Sequence, residues 1–349
     1  MSGRLRLRRG VVVATDPLVV EVDGAERPAW ADTTLLGEMG EGDEVVVNVA
    51  ALDLGLGSGG FDVVHVNLTR GLDQQADGEE HVIKLNYTSL QHAVEPVEGL
   101  PGQGTAEGEA ESAAASAHAP VLVLPLHGHL APAAWAVSRA APGSRVGYVQ
   151  TGGGALPGSF SRDVAELRER GLLCGHITAA PAYGGEHDAL STAGALDAAA
   201  NRLGWDALLV GPGPGIIGSG TEFGHGGMAA LDSAHAALSL RLPTTLSPRL
   251  SSSDPRDRHV DVSHHTYTVL ELLLAPVDVV VPAGEEAIAA ALEEAPGRHR
   301  LRSAPADLAG YEAAGLPSRT MGRSLAEDPL FFAAALAAGC ALGEQVAAR

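Results

Sequence analysis

The chain has 349 residues, 45% of them hydrophobic, enough for two domains with sizeable cores. Its formal charge is −20, from 23 basic against 43 acidic residues, which excludes a general nucleic-acid or anionic-membrane binder because such proteins need a basic face. Two cysteines, Cys174 and Cys340, give no disulfide framework and suit a reducing cytoplasm.

At the N-terminus, Arg4, Arg6, Arg8 and Arg9 alternate with Leu5 and Leu7, the pattern of an edge strand with one charged face. Met1 to Thr15 lacks the apolar core of a signal peptide. Short strands are predicted at Gly10–Ala14, Pro17–Val22, Glu44–Val49, Phe61–Val66 and His81–Leu85. Turn signals such as Asp23-Gly24 and Glu41-Gly42-Asp43 separate them. No long helical period interrupts this run, so residues 1–94 are expected to form a small, β-rich, barrel-like domain. Residues 95–119 are rich in Gly, Glu, Ala, Ser and Pro and read as a flexible acidic linker or loop.

After Pro120 the pattern changes to alternating strands and helices. Strands are predicted at Val121–Leu124, Arg145–Gln150, Cys174–Thr178, Ala207–Val210, Thr244–Leu246 and Val277–Val281. Helices are predicted at Ala131–Ala141, Ser161–Arg170, Ala189–Leu203, Met228–Leu240 and Thr266–Leu274. Such alternation implies right-handed crossovers, so residues 120–349 are expected to be a Rossmann-like α/β domain, doubly wound around a mostly parallel sheet. The apolar run Leu330–Leu342 is too short to span a bilayer and reads as a buried C-terminal helix.

Parallel strands place the segments that follow them along one edge, and ligands bind outside that edge. Those segments are Leu126-His-Gly-His129, Thr151–Ser159, Ala182–Asp188, the glycine-rich run 211–227, and Pro248–His259 followed by Ser263-His-His-Thr266. The opposite ends, such as Pro142-Gly143-Ser144 and Arg170-Gly171, are short and plain. Five loops thus bring His, Gly, Ser, Thr, Asp and Arg to one rim.

The run 211–227 follows an apolar strand and precedes an Ala/Leu-rich helix. It is a candidate anion cradle, in which backbone N–H groups approach a phosphate or carboxylate that side chains would block. Gly213, Gly215, Gly218, Gly220 and Thr221 are its candidate residues, with Thr151, Gly152 and Gly153 from the neighbouring loop. The spacing fits neither a P-loop nor a dinucleotide fingerprint. A tight Gly/Pro turn that permits close packing is the alternative. Arg249 and Arg258, with Arg256 between them, could clamp the same anion, or could belong to a solvated loop.

His127, His129, His264 and His265 are candidate catalytic residues, expected to converge in one pocket. An extended His127-Gly-His129 would put both imidazoles on one side, a candidate divalent-metal pair to which His264 or His265 could add a ligand. A general base, or hydrogen-bonded loop histidines, are the alternatives.

Several segments resemble an uncharacterised bacterial family, domain of unknown function 3866. They are Leu54–Phe61, Lys84–Gln91, His127-Gly-His129, Gly153–Pro157, Gly213–Thr221, Arg249–Asp254, Arg258-His259 and Ser263–Thr266. The resemblance runs nearly the full length and implies that the two halves serve one function. It implies no activity.

Three functions compete. One is a cytoplasmic enzyme, a hydrolase or phosphotransferase, acting on a small phosphorylated or nucleotide-like anion with histidine or metal chemistry. A second is a sensor or partner-binding protein without turnover, and a third a structural protein. The histidines at the rim favour the enzyme, since glycine alone would suffice for binding. Neither nucleic acid nor membrane is an expected partner, and a homo-oligomer is compatible with the sequence.

Overall fold

The computed structural model describes residues 4–56, 59–72, 80–100 and 119–349. It divides into two compact units, Met1–His81 and Val82–Arg349.

The first unit is a closed five-stranded barrel of order β1-β2-β3-β5-β4, built from β1 (Leu7–Thr15), β2 (Leu18–Val22), β3 (Ala25–Trp30), β4 (Glu44–Asn48) and β5 (Asp62–Asn67). Alternation drives its closure. Val12, Val20, Val22, Val45, Val47 and Val64 point inward to one valine core. Asp43 closes one corner, accepting from Asn67 at 2.9 Å, Gly40 N at 2.8 Å and Arg70 at 2.8 Å. The barrel-like expectation holds. β3 escapes the sequence pattern because its residues, Ala-Glu-Arg-Pro-Ala-Trp, show no alternation.

The unit boundary falls after His81, earlier than the expected one after residue 94. The cause is β6 (Val82–Lys84) and β7 (His92–Val94), which pair with each other within the second unit. Lys84, the chain's only lysine, is buried there. Its ammonium donates to Asp188 at 2.6 Å and to the carbonyls of Thr178 and Ala182 at 2.9 and 2.5 Å, so all three N–H groups are used. Residues 95–100 also have defined partners. Val97 is buried, and Glu98 accepts from Leu190 N at 2.8 Å. The remainder of the expected linker, 101–118, lies outside the described residues.

The second unit is an eight-stranded sheet of order β11-β10-β9-β12-β8-β13-β16-β17 in which every pairing is parallel. Its strands are β8 (Val121–Val123), β9 (Val146–Thr151), β10 (Gly175–Ala179), β11 (His187–Ala189), β12 (Ala207–Pro212), β13 (Thr244–Leu246), β16 (Asp278–Pro282) and β17 (Arg300–Ala304). Both faces are covered, so the strands read as continuous apolar runs. Val121 and Val123 enter the core on one face and Leu122 and Leu124 the core on the other. The first face carries helices Thr192–Asn201, Ala229–Ser239 and His264–Leu272; the second carries Leu130–Ala140, Arg162–Glu169 and the C-terminal Pro329–Ala347. That last helix is long and apolar enough to cross a membrane, but 72% of its apolar window is buried inside the unit, as a core helix requires.

Gly147 on β9 and Gly175 on β10 have a steric purpose. A Cβ at either would lie 2.0 or 2.5 Å from the Trp205 ring, so these glycines make room for the indole. The two edge strands, β11 and β17, are short or mostly exposed and lack the apolar signature of the central ones.

Candidate functional site

Connections from β8 to β11 run towards one edge of the sheet and those from β13 to β17 towards the other. Where the direction reverses, the loops after β8, β12 and β13 meet outside the carboxyl ends of their strands, the usual place for a ligand. A cavity of about 470 Å³ opens there. Its wall holds His127, His225, His259, His264 and His265, the arginines Arg249, Arg256, Arg258 and Arg319, and a single carboxylate, Asp163.

Three elements deliver the histidines. His127 opens a 3-10 turn after β8. His225 comes from the glycine-rich segment, which folds as a hairpin: Gly218 bridges His225, and Gly226 N donates to Ile217 O at 2.9 Å. His264 and His265 form the first turn of helix His264–Leu272, two residues earlier than expected because Ser263 caps it, accepting from His265 N at 3.2 Å. His259 is held above them by the loop between β14 (Leu250–Ser251) and β15 (Asp261–Val262), which pair antiparallel. The Ser263 hydroxyl meets His259 Nδ1 at 2.7 Å, so one serine holds the His259 ring and the backbone at His265.

Burial is the largest cause that shifts these rings towards the neutral form, and neighbouring arginines and histidines add to it. His259 is depressed to about 3 by burial, Arg249 and Arg256. His265 is depressed to about 2 by burial, His225 and Arg249, and His264 and His225 are also lowered. Arg249 is only 3% exposed; burial lowers it to about 10, against the opposing field of Asp254. Its Nη1 donates to His265 Nδ1 at 3.0 Å. Asp254 is shared among Arg249, Arg256 and Arg323 at 3.4, 2.9 and 3.3 Å. Arg258 is exposed and has no ion-pair partner among the described residues.

His127 and Asp163 make a second centre. His127 Nε2 lies 2.7 Å from Ser161 Oγ and 3.9 Å from an Asp163 oxygen. Its Nδ1 lies 3.3 Å from Pro212 O, so that nitrogen carries the proton and Nε2 accepts from Ser161. Burial lowers His127 to about 4 and raises the Asp163 carboxyl, with Glu166 adding to the latter.

The structure sorts the predicted residues. His127, His264, His265, Arg249, Arg258, Gly215, Gly218, Gly220 and Thr221 line one cavity. His129 does not. The segment His127–His129 is a 3-10 turn rather than extended, so residues two apart point to different sides. His129 is fully buried, its Nδ1 2.9 Å from Ser247 Oγ and its ring edge-on to Phe331 at 4.5 Å. The geometry therefore does not form the expected His127/His129 metal pair.

Thr151, Gly152, Gly153 and Gly213 lie outside the cavity lining as well. Their loops pack on each other: a Cβ at Gly153 would lie 2.5 Å from Gly226 O, and one at Gly213 would lie 2.3 Å from Ala155 O. Here the close-packing reading of glycine holds. The sequence pattern does not mark His225, His259, Arg319 or Asp163 as candidate site residues. His225 hides among glycines, and His259 in a charged loop whose fold decides its direction.

A family model described as "Protein of unknown function (DUF3866)" matches residues 28–339. The chain belongs to this family. No curated protein matches the DUF3866 chain, and no solved structure does.

Proposed function

We propose that this DUF3866 chain is a cytoplasmic enzyme, a hydrolase or phosphotransferase, acting on a small phosphorylated or nucleotide-like anion in this cavity. The observation that carries the reading is the charge of the wall. In a chain of net charge −20, four arginines face one carboxylate across about 470 Å³. That volume suits a small ligand, since such pockets span roughly 300–1,000 Å³.

Arg258, Arg319 and Arg256 neutralise the anion, and forked guanidinium groups suit phosphate oxygens. Gly215, Gly218, Gly220 and Thr221 shape the wall where the anion enters. His127 and Asp163 supply proton transfer. The imidazole is shifted towards its neutral form and the carboxyl towards its protonated form, so the two can share one proton beside the bound phosphate. The ligand is a small molecule, and no nucleic acid or membrane is required.

The test is an assay of the purified chain against phosphate monoesters, diesters and nucleoside polyphosphates, following release of inorganic phosphate from the first and last and of the alcohol from the diesters. Turnover that disappears in His127→Ala and Asp163→Asn, with the fold intact, supports the enzyme. Saturable binding without turnover assigns the cavity to sensing instead. No binding and no turnover reject the reading.

A further inference from the structure

His259, His264 and His265 present three ring nitrogens within 4.8 Å of one another, on one wall of the cavity. We propose that they form a centre for a divalent transition metal of the zinc class, adding a metal to the anion site on which this inference builds.

The donor set fits. All three ligands are imidazoles, with no thiolate or carboxylate. The Asp254 carboxylate is taken by Arg249, Arg256 and Arg323. Three histidines with an open position are a catalytic-type zinc arrangement, whereas magnesium and calcium prefer oxygen. The ligands are also pre-positioned. Ser263 holds the His259 ring through its hydroxyl and fixes the start of the helix that carries the other two. Such outer contacts orient metal-binding imidazoles.

The independent observation is an orphaned atom. His264 Nε2 is buried without a hydrogen-bond partner. A buried polar nitrogen left unpaired is unfavourable, and a metal would satisfy it. The one competing contact is the N–H of Arg249 on His265 Nδ1. A metal that takes this nitrogen releases the guanidinium towards the anion in the same cavity. His225 stacks on the face of His265, with centroids 3.5 Å apart, and so packs against that ligand while the fourth position stays open.

The test uses the full chain without an affinity tag, stripped with chelator and titrated with Co²⁺ and Zn²⁺ in phosphate-free buffer. Co²⁺ should bind at one ion per chain and give the visible absorption of a tetrahedral nitrogen site. Zn²⁺ should displace it. His264→Ala should weaken binding more than ~100-fold, beyond the 10–100-fold typical of outer-shell contacts. His129→Ala should leave it unchanged. Sub-stoichiometric binding, or wild-type affinity in a folded His264→Ala, overturns the centre. His259→Ala is the second variant, checked by circular dichroism. Because phosphate is absent, failure of the anion reading does not alter the result. Phosphate binding by the chelator-treated chain reports that reading separately.

Discussion

His225 and His265 stack face to face, their ring planes 6° from parallel. One ring ends the glycine hairpin after β12 and the other sits on the first turn of the helix His264–Leu272. Two loops that are far apart in sequence are thereby tied at the cavity wall, and neither position is recognisable without the fold.

Gly226 lets the same hairpin pack against the loop that follows β9. A Cβ there would lie 1.8 Å from Gly153 O, a backbone atom that cannot swing away. Gly226→Ala should destabilise the protein by about 1–3 kcal/mol, the usual cost of overpacking, and displace His225. Gly220→Ala meets no atom within 4 Å but sits at φ +82°. It should cost only about 1–2 kcal/mol of left-handed strain. Urea unfolding compares the two. Equal, negligible effects would mean that the glycine segment is not packed as described.

His127 and His129 should separate function from stability. His129→Ala removes a fully buried ring packed on Phe331. It should cost about 2–4 kcal/mol, as other large-to-small core changes do, while the specific activity of the folded fraction is retained. His127→Ala should instead lower turnover about 100-fold or more. The reverse assignment would place the chemistry beneath the cavity floor.

Stability should fall in mild acid. Burial depresses His127 to about 4, and His129 and His176 to about 3, from an ordinary 6.5. The unfolded chain then binds more protons than the folded one below about pH 6.5, so stability is full above that pH and is lost as pH falls towards the folded values. At pH 5.0 the loss should be about 2 kcal/mol for each ring that stays neutral. Urea midpoints at pH 7.5 and 5.0 measure it. A flat profile would contradict the burial of these rings.

The central strands were legible because both faces of the sheet are covered. Val121–Val123, Ala207–Pro212 and Asp278–Pro282 read as apolar runs from composition alone. β11 and β17 were not legible, since edge strands carry polar residues, and β3 was hidden by Pro28. The rim was legible as a set of loops because parallel strands force it. Within the loops, side-chain direction was not. A 3-10 turn separates His127 from His129, Ser263 moves the helix start to include His264, and the connection between two short paired strands carries His259 to the cavity wall.

The arginines should divide by burial. Arg249 is tied to Asp254 and His265, and its loss should lower stability as well as binding. Arg258 and Arg319 are exposed cavity-wall residues, so Arg258→Ala and Arg319→Ala should leave the unfolding midpoint within about 0.5 kcal/mol of wild type.

Isothermal titration of pyrophosphate into wild type and into the Arg258→Ala/Arg319→Ala double variant tests the anion site most directly. Saturable binding at one per chain is predicted for wild type. Each lost charged hydrogen bond contributes about 1.5–3 kcal/mol, so the double variant should bind at least ~100-fold more weakly. Equal affinity in the two proteins, or no binding by wild type, would contradict the assignment of this cavity to a small anion.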